Sequence, residues 1–212
     1  AVALEAASEA ARDATLYVTL EPCAHRSERG PDCAGLVAAS GLARVVIGCE
    51  DPDPRTAGAG IAALHTAGIE VDVIASPEAE ASLAGYLMLR REGRPFVTLK
   101  LALSRDGALA WPEGGPRWLT GEVARNHCHA LRAKSDAILV GKGTLLADDP
   151  RLDVRLPGIE DRSPERWVLT RGAAPDGWRA LASLEAVSAM AEVQYLFVEG
   201  GAQTARAFIK AG

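Results

Sequence analysis

The 212-residue chain contains 48% hydrophobic residues, enough for a buried core, and its length allows two domains. Its formal net charge of −5 argues against broad contact with nucleic acid, so any phosphate must be held locally. The sequence contains no run of about 20 apolar residues that would suit a membrane span, and no signal-peptide pattern. It therefore predicts a soluble, cytoplasmic protein with neither nucleic-acid nor membrane partners.

The first 93 residues alternate between helical and strand-like patterns. We predict helices at 1–12, 33–40, 57–67 and 77–91, and strands at 15–20, 44–49 and 69–74. Such alternation predicts an α/β layer with mostly parallel strands. The polar break Glu92-Gly93-Arg94-Pro95 then predicts a boundary between domains at 1–93 and 94–212.

Two cysteines follow the first predicted strand. That strand leads into Glu21-Pro22-Cys23, and Cys33 comes ten positions later. Two thiolates and one imidazole leave the fourth position of Zn²⁺ open for water, which then becomes acidic enough to attack a ring carbon bearing an amine. We therefore favour zinc ligation by Cys23 and Cys33, with Glu21 as an orienting group. Nucleobase deaminases add a His-x-Glu sequence, which we expect to precede Ala1.

Other polar residues of the first half leave alternatives open. Asp51-Pro52-Asp53-Pro54 directly follows a predicted strand, where it is either a ligand loop or a turn stiffened by proline. His25 either contacts a phosphate or lies on a surface loop. Cys49 is expected to be a buried strand residue, and Cys128 is not expected to bind metal.

The second half repeats the alternation. We predict strands at 96–103, 137–140, 167–170 and 195–198, and helices at 121–132 and 202–211. Glu199-Gly200-Gly201 ends the last strand and opens the last helix, so bare backbone amides face an incoming phosphate. No Rossmann Gly-x-Gly-x-x-Gly sequence follows any of these strands.

The order in which the motifs of both halves occur makes the chain resemble the bifunctional deaminase and reductase family of bacterial riboflavin biosynthesis. The resemblance covers nearly all 212 residues. The motifs that carry it are Thr15-Leu16-Tyr17-Val18-Thr19-Leu20-Glu21-Pro22-Cys23-Ala24-His25, Asp51-Pro52-Asp53-Pro54, Lys100-Leu101-Ala102-x-Ser104-x-Asp106-Gly107, Trp118-x-Thr120, His129-x-Leu131-Arg132-Ala133, Gly143-Thr144-x-x-x-Asp148-Asp149-Pro150-x-Leu152 and Glu199-Gly200-Gly201.

The resemblance implies a cytidine-deaminase-like three-layer domain at 1–93 and a dihydrofolate-reductase-like domain at 94–212, both incomplete. Zinc-dependent hydrolytic deamination of a phosphorylated diaminopyrimidine would be followed by NADPH-dependent reduction of its ribose to a ribityl chain. The family also implies a homo-oligomer formed through the reductase half. Because the proton-transferring Glu would precede Ala1, we expect the chain as given to have no useful deaminase activity.

The resemblance also assigns individual residues. Cys23 and Cys33 would bind zinc. The cofactor would contact Ala102, Trp118, Thr144, Asp148, Gly201, Ala202, Gln203, Thr204, Ala205, Arg206 and Ala207. The substrate would contact Arg132, Leu152, Arg155 and Glu199, together with Asp51 and Asp53 of the first domain. Arginine suits bidentate phosphate capture, and Trp118 offers either a stacking wall or a core anchor.

Two other functions are compatible with parts of the sequence. A stand-alone nucleobase or tRNA deaminase would use the cysteine pair alone, but residues 94–212 add cofactor-like loops and no basic stripe. A non-catalytic zinc-binding module would need four protein ligands, of which the sequence shows two.

Overall fold

The computed structural model describes residues 2–26, 30–109, 115 and 118–211. The chain divides into two compact units, Ala1–Arg91 and Glu92–Gly212. Each unit contains one sheet whose strands are all parallel, so the predicted α/β class with parallel sheets is confirmed. None of the described helices is long and apolar enough to cross a membrane.

The first unit has a three-stranded sheet in the order β1-β2-β3. Its strands are β1 (Thr15–Leu20), β2 (Arg44–Cys49) and β3 (Glu70–Val73), and its helices are α1 (Val2–Ala7), α2 (Cys33–Ala38), α3 (Ala59–Thr66), α4 (Pro77–Ser82) and α5 (Ala84–Glu92). The central strand β2 is the most deeply buried, since Val45 and Ile47 are fully inaccessible and pack with Leu64 of α3.

The helices of the first unit differ in detail from the predicted ones. α1 continues as a short 3-10 helix, Ser8–Ala11, after Ser8 adopts a positive φ of 46°. The single helix predicted at 77–91 is two helices, because Leu83 between them leaves the helical region with φ −108° and ψ 9°. The Ser76 hydroxyl accepts a hydrogen bond from the Ala79 N–H and starts α4 as an N-cap.

The second unit has a five-stranded sheet in the order β4-β8-β5-β6-β7. Its elements are β4 (Phe96–Leu99), α6 (Glu122–Arg132), β5 (Ala137–Gly141), α7 (Lys142–Asp148), β6 (Glu165–Leu169), β7 (Arg179–Leu181), β8 (Tyr195–Val198) and α8 (Ala202–Ala211). Short 3-10 helices occur at Glu160–Arg162 and Glu185–Ala189. The strand predicted at 96–103 ends at Leu99, and the sequence did not predict α7 or β7.

Alternate residues of the central strands enter two different core clusters. Leu139 packs with Leu196 and Val198 on one face of the sheet, whereas Ile138 packs with Phe197 on the other. Both faces are therefore covered, as parallel sheets require.

The strand order creates a crevice in the second unit. The chain passes from β5 outward through β6 and β7, and then returns to place β8 on the other side of β5. Helices α7 and α8 follow β5 and β8, so they begin next to each other at the carboxyl ends of these strands. Open α/β sheets bind ligands at such a topological switch point.

Candidate functional site

The two cysteines of the first unit lie together. The backbone N–H of Cys33 donates a hydrogen bond to Cys23 Sγ over 3.3 Å, and the Ala34 N–H donates to the Cys23 carbonyl over 3.0 Å. Both are free thiols, and burial together with the side-chain contact between the two sulfurs raises the pKa of Cys33. The start of α2 thus joins the loop after β1.

These thiols have the donor chemistry that zinc prefers, but zinc sites use three or four protein ligands. Among the described residues, no group of three or more His, Cys, Asp or Glu side chains could hold a metal ion. His25 instead faces Thr56, with Nδ1 3.2 Å from Oγ1. The described residues therefore bring the two predicted zinc ligands together but do not form a metal site, and zinc binding stays a prediction.

Glu21 is 2% exposed and is satisfied by the backbone. Its Oε2 accepts hydrogen bonds from the N–H groups of Asp51, at 3.3 Å, and Gly58, at 3.1 Å. Its Oε1 accepts from the Ile61 N–H at 3.1 Å, near the start of α3. Glu21 thereby ties the end of β1 to the loop after β2 and to α3, which agrees with an orienting role.

The two aspartates of the Asp-Pro motif are buried, with exposures of 5% for Asp51 and 3% for Asp53. Asp51 Oδ1 accepts hydrogen bonds from the Tyr86 hydroxyl at 2.7 Å and from the Asp53 N–H at 2.9 Å. Arg55 donates to both oxygens of Asp53 and lowers the pKa of that carboxyl. These contacts favour the turn over the ligand loop, and substrate contact by either aspartate stays a prediction.

In the second unit, Glu199 lies directly after β8 with its side chain 10% exposed. Arg132 Nε donates to Oε1 over 2.6 Å and its terminal nitrogen donates to Oε2 over 3.1 Å. Lys100 Nζ, directly after β4, lies 3.6 Å from Oε2, and the Cys128 thiol donates to Oε1 over 3.5 Å. Burial opposes ionisation of Glu199, but the contacts with Arg132 and Lys100 outweigh it and lower its pKa.

Sequence analysis did not assign Lys100 to the site. The available signal was its position, since a lysine that directly follows an apolar strand lies at the edge where parallel α/β sheets bind ligands.

The segment after α7 supplies the other predicted substrate residues. Arg132 also donates to the Asp153 carbonyl over 2.9 Å, and Arg155 Nε lies 3.3 Å from Asp153 Oδ1. The Arg155 side chain is 52% exposed and can meet a ligand. Leu152, in contrast, is buried in the core cluster with Ile138 and Phe197, so its contact with substrate stays a prediction.

Several predicted cofactor residues meet at the crevice between β5 and β8. The Gly201 N–H donates to Thr144 Oγ1 over 3.2 Å, which joins the starts of α7 and α8. Thr204 is buried against Gly141 and Gly200, and a Cβ on Gly200 would come within 2.5 Å of Thr204 Cβ. The glycines are therefore required for this close packing.

The remaining predicted cofactor residues vary in exposure. Along α8 and just before it, Ala205 is buried, Ala207 is half-buried, and Gly201, Ala202, Gln203 and Arg206 are exposed. Asp148 is exposed at the end of α7, and Ala102 is half-buried beyond β4. Trp118 is 53% exposed and the Arg125 guanidinium lies 5.3 Å from its ring centroid, which argues against the core-anchor alternative.

A cavity of about 470 Å³ extends this edge of the sheet beyond β6 and β7. It is lined by Lys142, Leu169, Thr170, Arg171, Gly172, Ala182, Ser183 and Leu184. Sequence analysis did not identify its basic residues, Lys142 and Arg171. The polar run Thr170-Arg171-Gly172 directly after a predicted strand was the signal that could have found one of them.

Comparison with known proteins gives consistent matches. The RibD C-terminal domain family matches residues 95–212. The riboflavin biosynthesis protein RibD of Bacillus amyloliquefaciens is 38% identical, over 99% of this chain and 67% of that protein. The RibD proteins of Haemophilus influenzae and Escherichia coli are 46% and 44% identical over 73% and 76% of this chain. The chain spans 41% and 44% of the length of those two relatives.

Solved structures agree. Acinetobacter baumannii RibD, form 1, matches with a TM-score of 0.85 and 33% identity, over 99% of this chain and 69% of that one. A diaminohydroxyphosphoribosylaminopyrimidine deaminase/5-amino-6-(5-phosphoribosylamino)uracil reductase from Thermotoga maritima matches with a TM-score of 0.87 and 30% identity. That match covers 99% of this chain and 69% of the Thermotoga chain.

Proposed function

This chain belongs to the RibD family of riboflavin biosynthesis proteins, and on that premise we propose that residues 94–212, nearly all of the second unit, are a dihydrofolate-reductase-like, NADPH-dependent reductase. The substrate would be a phosphorylated ribosylamino-pyrimidine whose ribose becomes a ribityl chain. The observation that carries the proposal is the buried Glu199, held by Arg132 and Lys100 beside the crevice where α7 and α8 begin.

Shape and charge at the crevice support a phosphorylated dinucleotide. Gly201 is exposed at the start of α8, where backbone amides and the helix dipole favour an anion. Lys142 and Arg171 add two positive charges in the neighbouring cavity. Two cations suit a cofactor that carries an additional phosphate, which favours NADPH over NADH.

The charged groups at the strand ends support the reaction. NADPH, when bound, would supply a hydride to the C1′ carbon of the ribose, whose ring oxygen must then gain a proton as its bond to C1′ breaks. The Lys100–Glu199 pair can hold such a proton, since Lys100 is partly exposed and Glu199 is charged. The exposed guanidinium of Arg155 suits the substrate phosphate.

For residues 1–93, we propose a cytidine-deaminase-like domain in which Cys23 and Cys33 supply two zinc ligands. Zinc would activate the water for hydrolytic loss of the ring amine. Among the described residues no third ligand joins the two thiols in a group that could hold a metal, so we predict no useful deaminase activity for these residues. The match of residues 95–212 to RibD argues against a lone deaminase and against a non-catalytic zinc module.

The test combines NADPH titration with NADPH consumption in the presence of 5-amino-6-(5-phosphoribosylamino)uracil. We expect binding and turnover, and the Lys142→Ala and Arg171→Ala variants should each lose about tenfold in preference for NADPH over NADH. The matched control is Lys134→Ala, since Lys134 is exposed and precedes β5 at the opposite edge of the sheet. A chain that binds neither nucleotide would overturn the reductase assignment.

Metal analysis tests the first unit. The purified chain should take up zinc weakly, and Cys23→Ser with Cys33→Ser should abolish the uptake. Retention of zinc by this double variant would place the metal elsewhere, and clear release of ammonia from the diaminopyrimidine would refute the predicted lack of deaminase activity.

A further inference from the structure

His129 lies in the His-x-Leu-Arg-Ala motif, yet the site described above does not use it. It is carried by α6 three residues before Arg132, on a neighbouring part of the helix surface. Its side chain is buried, with 9% of the residue exposed, and Nδ1 faces the segment after α7. The ring nitrogen lies 3.1 Å from the Asp153 carbonyl and 3.3 Å from the Arg155 N–H.

The surrounding hydrogen bonds indicate which of these contacts is favourable. The Asp153 carbonyl can accept two hydrogen bonds and already accepts one from Arg132 at 2.9 Å, so it does not depend on His129. The Arg155 N–H is satisfied when Nδ1 accepts, which requires a neutral imidazole with its proton on Nε2. A proton on Nδ1 would make that nitrogen a donor facing another donor.

The side chain of Arg155 is held less tightly than its backbone. Asp153 Oδ1 is buried and has no hydrogen-bond partner in the described part of the chain, although Arg155 Nε lies within ion-pair distance at 3.3 Å. Charge alone therefore attracts the guanidinium, which can turn toward an incoming phosphate. The hydrogen bond to His129 fixes the Arg155 backbone, from which the guanidinium turns.

We propose that neutral His129 is a positioning residue that fixes the Arg155 backbone so that the Arg155 guanidinium meets the substrate phosphate, and that protonation of His129 releases it. The inference rests on the proposed function in one respect, because it assigns a phosphomonoester to Arg155.

The charges around the ring favour its neutral form. Burial lowers the pKa of His129, and the positive charges of Arg132 on its own helix and Arg155 on the facing segment lower it further. The carbonyl and the negative charge of Asp153 raise the pKa of His129, but the net shift of that pKa is still downward. The imidazole is therefore neutral at neutral pH and gains a proton only below its ordinary range.

Two substitutions separate positioning from folding. The amide oxygen of Asn in His129→Asn can replace Nδ1 as an acceptor and does not titrate, whereas His129→Leu removes the acceptor. His127→Asn is the matched control, since His127 is exposed on the same helix. If His129→Leu does not fold, the comparison of wild type with His129→Asn still decides the question.

The first measurement is steady-state kinetics between about pH 5 and 8. In the wild type and His127→Asn, the KM for the phosphorylated substrate should rise on acidification while the Kd for NADPH stays constant. In His129→Asn the KM should rise less steeply on acidification, because only the substrate phosphate then titrates. His129→Leu should have a KM raised about tenfold at every pH, with kcat changed much less. A pH dependence of KM that is the same in His129→Asn and the wild type would overturn the proposal.

The second measurement does not depend on reductase activity. The NMR signal of the Arg155 amide should titrate together with the His129 imidazole in the wild type and should be insensitive in His129→Asn. Ribose 5-phosphate, titrated calorimetrically, should lose affinity on acidification more steeply in the wild type and His127→Asn than in His129→Asn, where only the phosphate itself titrates. If these results hold without NADPH turnover, the positioning role stands and the reductase assignment fails. If turnover occurs and the amide does not follow the imidazole, the positioning role fails.

Discussion

The two units each place a glutamate directly after a strand, but they stabilise its charge in different ways. Glu21 follows β1 and accepts three hydrogen bonds from backbone N–H groups. Glu199 follows β8 and is held by the side chains of Arg132 and Lys100. Backbone groups cannot leave without unfolding the loop, whereas a partly exposed lysine can turn to a ligand. The same residue in the same topological position is thus structural in one unit and suited to chemistry in the other.

The largest effect should come from removing the charge in the second unit. Glu199→Ala leaves the buried guanidinium of Arg132 without its carboxylate, and such a loss costs about 3–5 kcal/mol of unfolding free energy. Urea denaturation followed by tryptophan fluorescence measures it, because all four tryptophans lie beyond residue 110. Glu192→Ala, on an exposed residue, is the control. A loss below about 1 kcal/mol would show that Arg132 has no need of this partner.

Glu21→Gln should cause a smaller loss of stability, and this loss should affect the first unit. The amide keeps one oxygen but turns an NH₂ group toward backbone N–H donors, which costs about 2–3 kcal/mol. Hydrogen exchange at the amides of β2 should report the loss, while the Kd for NADPH should be unchanged. The control is Glu5→Gln on exposed α1. A raised Kd for NADPH would contradict the expectation that the contacts of Glu21 in the first unit do not affect the site around Glu199 in the second.

The third effect tests packing at the crevice. A Cβ at Gly141 would overlap Thr204 Oγ1, whereas Thr204 Cβ is 3.7 Å away. Gly141→Ala should therefore destabilise the second unit by about 1–3 kcal/mol and weaken NADPH binding. Adding Thr204→Ala should restore most of the stability, since it removes the overlapping hydroxyl. Thermal unfolding of both single variants and the double variant measures the coupling, and strictly additive losses would rule out the clash.

The smallest effect concerns Tyr86, whose hydroxyl donates to Asp51. Burial and this contact raise the pKa of Tyr86 from 10.0 to about 12. The stability that Tyr86 contributes is fully present when the pH is below the ordinary pKa of tyrosine. It is lost as the pH rises through the pKa of Tyr86 in the folded protein. Tyr86→Phe should cost about 1 kcal/mol at neutral pH and should remove the part of the alkaline loss that Tyr86 causes. Equal alkaline losses in Tyr86→Phe and the wild type would exclude this ionisation.

Local patterns predicted much of the fold. Apolar runs such as 44–49 and 137–140 became the buried central strands, and the predicted zinc thiols lie together. The sequence did not predict β7, which has only three residues, or α7, which contains the weak helix formers Gly143 and Thr144. Such short elements form because tertiary packing overrides their weak local preference.

The sequence also could not predict which distant residues contact each other. Arg132 is predicted to face substrate, but the partner that engages two of its nitrogens lies 67 residues away, in Glu199. Likewise, the partners of Asp51 and Asp53 include Tyr86 on α5 and Arg90 in the same helix. Residue type and spacing indicated that these groups are polar and functional, while only the fold shows which charges are already matched.

The strand order of the second unit has a consequence for synthesis on the ribosome. β4 is the first strand of its sheet to be made, yet among the described strands it pairs with β8 alone, the last to be made. Roughly a hundred residues must therefore emerge before β4 gains a neighbour, since 95 residues separate Leu99 from Tyr195. Because such long-range pairing is slow and leaves apolar edges uncovered, a nascent chain stalled before Tyr195 should be a preferred client for chaperones.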